Sequence, residues 1–151
     1  MAIFEKYITN CTALDQGAIA EAGMKSFVVP ELPSIGELKM MASVISASTV
    51  TGWAYEYGQA PHEPFVTEID QIDNFYSKNS SINVFLCFGD SSLFVWCPEN
   101  HEYFVVFGVK RFVETVRNSN IFEYDFDDYI NDYPYEGARE SLVEISKRYN
   151  I

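Results

Sequence analysis

INVFLCFG (residues 82–89), SLFVWC (92–97) and EYFVVF (102–107) are three apolar runs of strand length, joined by a GDSS-like turn and the turn PENH. Runs of this kind, bounded by Gly, Asp, Asn and Pro, read as an antiparallel meander. Pairing across the turns puts Phe85, Cys87, Phe94, Trp96, Tyr103, Val105 and Phe107 on one face. Val84, Leu86, Phe88, Leu93, Val95, Cys97, Phe104 and Val106 take the other. A sheet with one wet face alternates apolar and polar residues. Here both faces are apolar, so either helices cover both sides or one side meets a partner. Coverage by helices is the expectation.

The flanks supply the helices. One is expected after Thr12 as N-cap and before Gly23, with Leu14, Ala18 and Ala22 as its apolar stripe. Ser34 and Glu37 fit a capping box, in which each side chain serves the other's backbone N–H. Ile35, Leu38, Ala42 and Ile45 then share a face. TVTGWAYEY, Thr49 to Tyr57, is β-branched and aromatic and reads as a strand. Thr67 to Tyr76 reads as a short helix carrying Ile69, Ile72 and Phe75. After the meander, Val109, Phe112, Val113 and Val116 recur at helical spacing, as do Phe126, Tyr129, Ile130 and Tyr133. A last stripe is Ala138, Leu142, Ile145 and Tyr149, with Arg139, Glu144 and Lys147 turned to water. The fold class is therefore α+β: a central antiparallel meander of three or more strands with helices packed around it.

With 151 residues, no internal repeat and no linker, the chain reads as one domain over residues 1–151. Hydrophobic residues make up 48% and aromatics 16%, enough to fill a core. Against 22 acids stand 10 bases, a net charge of −12. That balance argues against direct nucleic-acid binding, which needs Lys and Arg against phosphate. It argues equally against an anionic membrane surface, and favours a basic partner or simple solubility. The N-terminal MAIFEKYITNCTALDQ has no basic n-region and no long apolar run, so no signal peptide is expected. Cys11, Cys87 and Cys97, odd in number and without C-x-x-C spacing, fit reduced, buried thiols in a cytoplasmic protein.

The acids gather. IFEYDFDDYINDYPYE (residues 121–136) holds six carboxylates and four tyrosines, and no Lys or Arg lies between Arg117 and Arg139. On a helix over 125–133 the rings turn inward, while Asp125, Asp128 and Asp132 fall on the outer face with Asp127 beside them. Asp125, Asp127 and Asp128 also suit a first helical turn, where carboxylates complement the macrodipole; Asp132, Glu123 and Glu136 have no such reason. The expected partner-binding set is Glu123, Tyr124, Asp125, Asp127, Asp128, Asp132, Tyr135 and Glu136, joined by Trp53, Tyr55 and Tyr57 on their strand. A second stretch free of bases, Met40 to Ser77, carries Glu56, Glu63, Glu68, Asp70 and Asp73.

Catalytic signatures are absent. His62 lies between prolines in a loop and His101 closes a turn, so both are expected at the surface. Asp125, Asp127 and Asp128 fail the calcium-loop pattern, because Tyr129 and Ile130 stand where Asp/Asn and Gly are needed. No phosphate-binding glycine motif occurs. No enzyme activity, cofactor or metal is expected.

A small, acidic, cysteine-poor α+β chain with DFDDYINDYPYE and the strand-to-helix passage YFVVFGVKRFVETV resembles the bacterial immunity proteins that neutralise polymorphic and contact-dependent growth inhibition toxins. The resemblance implies a cytoplasmic inhibitor whose cognate toxin is a basic protein, commonly a nuclease, blocked at or beside its active site. It assigns no site residue position by position. The alternatives are a DNA-mimic anti-restriction protein, or a small adaptor or oligomeric module that uses one apolar sheet face, with a small enzyme the less favoured rival; the oligomeric state is left open.

Overall fold

The computed structural model describes residues 2–122 and 125–151. Its elements in chain order are α1 (Ala2–Tyr7), β1 (Ile8–Thr9), β2 (Ala13–Leu14), α2 (Gln16–Glu21), β3 (Lys25–Pro30), α3 (Ile35–Val44), β4 (Thr49–Tyr55) and β5 (Phe65–Glu68). A 3-10 turn, Ile69–Gln71, leads into α4 (Ile72–Asn79), β6 (Asn83–Phe88), β7 (Leu93–Cys97), β8 (Tyr103–Gly108), α5 (Lys110–Arg117), α6 (Phe126–Asn131) and α7 (Glu136–Tyr149). Among the described residues, six strands form an antiparallel sheet in the order β3-β8-β7-β6-β4-β5. The fold is α+β.

The meander β6-β7-β8 forms the middle of the sheet, in the register that its turns impose. Phe85 pairs with Trp96 and Cys87 with Phe94, and Phe94 in turn with Phe107. Both faces are buried. Phe85, Phe94, Trp96, Val105 and Phe107 pack under α1, α2, α6 and α7 through Phe4, Tyr7, Ile19, Ile130 and Leu142. Leu86, Phe88, Val95, Phe104 and Val106 pack under α3, α4 and α5 through Leu38, Met41, Ile72, Val113 and Val116. The rings of Phe94 and Phe107 stack with centroids 4.8 Å apart. Burying each such side chain stabilises the fold by about 1.5–3 kcal/mol. The sheet therefore presents no free apolar face.

The capping box of α3 is formed in full: Glu37 N–H donates to Ser34 Oγ (3.0 Å) and Ser34 N–H to Glu37 Oε1 (2.8 Å). Several expectations need correction. The helix after Thr12 begins later, with Asp15 as the N-cap accepting from Gly17 and Ala18 N–H. Asn10 (φ 49°) and Cys11 (φ 57°) make a tight turn, and Thr12 N–H donates to Thr9 C=O at 2.9 Å. Thr12 is thereby held in the β1–β2 hairpin. Leu14 is buried from a strand, Ile19 is the buried helical residue and Ala22 is exposed. The helix does stop before Gly23, which takes φ 71°.

The strand from Thr49 ends at Tyr55, not Tyr57. Its neighbours β5 and β6 pair on either side of it. Thr67 and Glu68 are strand, and α4 starts at Ile72. Gly52 leaves room for Phe75 on the sheet: a Cβ there would lie 2.5 Å from the Phe75 ring. Val109 caps α5 and is partly exposed instead of extending its buried stripe. Arg139, expected in water, is half-buried, and its guanidinium donates to Tyr133 C=O at 2.7 Å. Sequence reasoning did not pick out α1, the β1–β2 hairpin, β3 or β5.

Candidate functional site

The acidic segment folds around α6. Asp125 Oδ1 accepts the N–H groups of Asp127 (2.8 Å) and Asp128 (3.4 Å), satisfying two donors of the first turn. Phe126 and Ile130 are buried against β3 and α7, and Tyr129 and Tyr133 are half-buried. The aromatic rings continue outward as a chain. Phe126 and Tyr129 have centroids 6.3 Å apart, Tyr129 and Tyr133 5.6 Å, and Tyr133 and Tyr135 6.3 Å. Tyr135 ends it with 70% of its surface exposed.

Asp125, Asp127, Asp128, Asp132 and Glu136 are all exposed. Glu123 and Tyr124, also expected in this set, lie outside the described residues. Asp132 does not continue a helical row: it is the C-cap of α6, at the negative end of the dipole. The described ion pairs are Lys39–Asp73, Lys110–Glu114 and Lys147–Glu144, none of them in this segment. Neither flanking arginine is in a described ion pair. Arg117 lies over the Phe27 ring at 5.6 Å, and Arg139 holds the Tyr133 carbonyl. Arg117 and the Asp125 and Asp127 side chains line a common cavity of about 180 Å³ without an ion pair among them.

Folding adds carboxylates that sequence proximity hides. Burial pushes the Tyr129 phenol above its ordinary pKa, and the nearby charges of Glu31 and Glu102 push it the same way. These two acids come from the β3 and β8 ends, where Glu31 N–H donates to Glu102 C=O at 2.9 Å. No local pattern signals them, because the sheet register brings them together. Glu140 is also exposed, one turn beyond Glu136 on α7. The i, i+4 spacing of those two acids was the available signal.

Two expectations are overturned. Trp53 and Tyr55 are not surface rings: they are 4% and 1% exposed, because β4 is an inner strand covered on that face by Phe4. Tyr55 accepts the Trp96 indole N–H at 3.0 Å and donates to Thr12 C=O at 2.8 Å. Only Tyr57 of the three is exposed. In the second acidic stretch, Asp73 is not left without a base. Its hydrogen bond to Lys39 Nζ (3.0 Å) holds the carboxyl below the ordinary carboxylate range. Glu56, Glu63, Glu68 and Asp70 are exposed there.

His62 and His101 are both exposed. Cys87 and Cys97 are buried thiols, as expected, and burial raises the pKa of both, whereas Cys11, in the tight turn of the β1–β2 hairpin, is only half-buried. Among the described residues, no group of three or more His, Cys, Asp or Glu side chains is placed to hold a metal ion, and no helix is long and apolar enough to cross a membrane.

The class so defined is an α+β protein with an open antiparallel sheet, both faces helix-covered, and an acidic ridge on α6 and the start of α7. No protein-family model, curated protein or solved structure matches the chain.

Proposed function

We propose that the protein is a cytoplasmic immunity or inhibitor protein, which binds a basic toxin domain, most simply a nuclease, through the acidic ridge and performs no chemistry of its own. One observation carries this reading. Asp125, Asp127, Asp128, Asp132 and Glu136 are exposed beside an exposed Tyr135, with none of them in a described ion pair. Asp132 carries the argument furthest, because a carboxylate at a helix C-terminus disfavours the free fold. A cationic partner would relieve that repulsion. Clustered charge also steers encounter with an oppositely charged partner, and an exposed tyrosine beside it supplies an anchor.

The test is charge reversal, with Asp125 spared because it caps α6. Each exposed ion pair contributes ~0.2–1 kcal/mol, and reversal replaces attraction by repulsion. Asp127→Lys, Asp128→Lys and Asp132→Lys together should cost about 3 kcal/mol of binding, roughly a 100-fold loss. Binding to a cognate toxin identified by pull-down from the native strain, and growth protection against it, give the readouts, with circular dichroism as the folding control. A folded triple variant that binds and protects as well as the parent would end the electrostatic account.

A further inference from the structure

The two edges of the sheet are treated differently. At the β3 edge, Glu31 N–H bonds inward to Glu102 C=O, so the alternate residues Ser26, Val28 and Pro30 point outward. Each of the three positions has one backbone group closed or missing. Ser26 C=O accepts from Ile151 N–H at 3.2 Å, Val28 N–H donates to Asn150 Oδ1 at 3.1 Å, and Pro30 has no N–H. The opposite edge is β5. Ile69 N–H bonds inward to Ser48 C=O at 2.9 Å, and the β4–β5 register then turns Phe65 and Thr67 inward and Val66 and Glu68 outward. The Glu68 C=O is used by the 3-10 turn that Glu68 caps, but no described group bonds the outward N–H and C=O of Val66 or the outward N–H of Glu68, and both residues are exposed, Val66 by 68%.

We propose that the β5 edge accepts an extended, cationic segment of a partner protein as a seventh strand. An unpaired edge is a template for strand addition, with main-chain hydrogen bonds giving affinity and alternate side chains giving specificity. The scaffold is firm on one face, where Phe65 stacks on Phe75 with centroids 5.2 Å apart and planes 5° from parallel. Charge chooses the occupant. Glu63, Glu68 and Asp70 flank the edge, and no base lies between Lys39 and Lys78. A second copy, itself at −12, would bring like charges together across the new ladder. A strand with an aliphatic residue opposite Val66 and Lys or Arg two residues away, opposite Glu68, meets both side chains. This edge lies across the sheet from β3, against which α6 packs, so the inference stands apart from the acidic ridge.

The probe is the blocked nonapeptide TVTKTVTKT, whose valines and lysines share one face of a strand. It is compared with versions N-methylated at the valines and lysines, or at the threonines. Binding is measured by calorimetry, and its place by amide NMR. Expected are shifts centred on Val66 and Glu68, and a loss of at least 10-fold on methylation at valine and lysine but under threefold at threonine. Val66→Pro removes an outward N–H while leaving the β4 ladder, and should cost at least 10-fold. Glu68→Lys, with its backbone intact, should cost at least fivefold and serves if the proline variant does not fold. The Asp127/Asp128/Asp132→Lys variant should bind this peptide within threefold of the parent. Absence of binding, indifference to methylation or to both substitutions, or shifts centred on α6 would overturn the proposal. So would a dimer in sedimentation that Val66→Pro or Glu68→Lys dissolves, which would give the edge to a second copy.

Discussion

Asp132→Lys should make the free protein more stable. Asp132 is exposed and closes α6, its N–H donating to the Asp128 and Ile130 carbonyls. The end of a helix carries about half a negative charge, so a carboxylate there is repelled and an ammonium attracted, each by ~0.3–1 kcal/mol at the surface. The exchange removes one term and adds the other. Two facts hold the sum low: α6 has 6 residues, and the Arg139 guanidinium already sits 2.7 Å from the Tyr133 carbonyl. A gain of about 0.5–1 kcal/mol follows. In a chain of 151 residues this corresponds to a Tm rise of about 1–4 °C. Thermal unfolding followed by circular dichroism at low salt measures it, and about 0.5 M NaCl should erase most of the gain. Glu99→Lys is the control. It makes the same change in net charge, −12 plus 2 giving −10, at an exposed turn away from any helix end. A Tm for Asp132→Lys at or below that of Glu99→Lys would mean that the Asp132 carboxylate is neutralised in solution. The ridge would then lack the free charge on which its proposed role depends.

Three further outcomes are expected. Gly108→Ala should cost about 3 kcal/mol or more, read from urea midpoints: the new Cβ would lie 2.2 Å from Ser92 O, and that carbonyl is pinned by Val109 N–H at 2.9 Å. Under native conditions a thiol reagent should modify Cys11 alone of the three cysteines, with Cys87 and Cys97 reacting only in denaturant, because burial disfavours their thiolates. Asp73 gives a pH signature. Its folded pKa is depressed by Lys39, so the pair's contribution is present above the ordinary value of 3.8 and fades as pH falls below it. Asp73→Asn should therefore narrow the stability difference from the parent between neutral pH and about pH 2–3, a small effect that salt also removes, since both side chains are exposed.

What could be read in advance followed from short-range rules. Period-two alternation with both sets apolar gave the two faces of β6, β7 and β8 residue by residue, and the turns between them set the register. The capping box of α3 needs only Ser34 and Glu37, and both of its hydrogen bonds are present. The misses are long-range. KSFVVP is a strand because β8 pairs with it, and nothing within six residues declares a partner 73 to 83 positions away. Trp53 and Tyr55 read as surface rings only while β4 lacked neighbours on both sides. Lys39 lies one residue before the base-free stretch, yet α3 packs beside α4 and delivers it to Asp73. Arg139 was expected in water on helical phase alone, and the last turn of the α6 segment draws it in. The site divides in the same way: its charge was legible, whereas the contribution of Glu31 and Glu102 depended on a register that spans the whole sheet.

Because helices cover both sheet faces, an interface built on an apolar face has no surface to use. Recognition is left to edges and helix surfaces, and here the charge acts twice. An open strand edge invites self-association, which proteins oppose with short strands and charged side chains. β5 has 4 residues and ends in Glu68, and a net charge of −12 opposes the approach of another copy. The same field attracts a cation. Acidity thus lets the chain leave the outward groups of Val66 and the Glu68 N–H without partners at one edge, while the other is partly covered by hydrogen bonds to Asn150 and Ile151. That division predicts opposite responses to salt. High ionic strength should weaken binding of a cationic strand and, by screening the repulsion, bring copies of the protein together. If salt instead leaves the protein monomeric at high concentration, the short strand alone is guarding the edge, and the charge is free to be explained by the ridge.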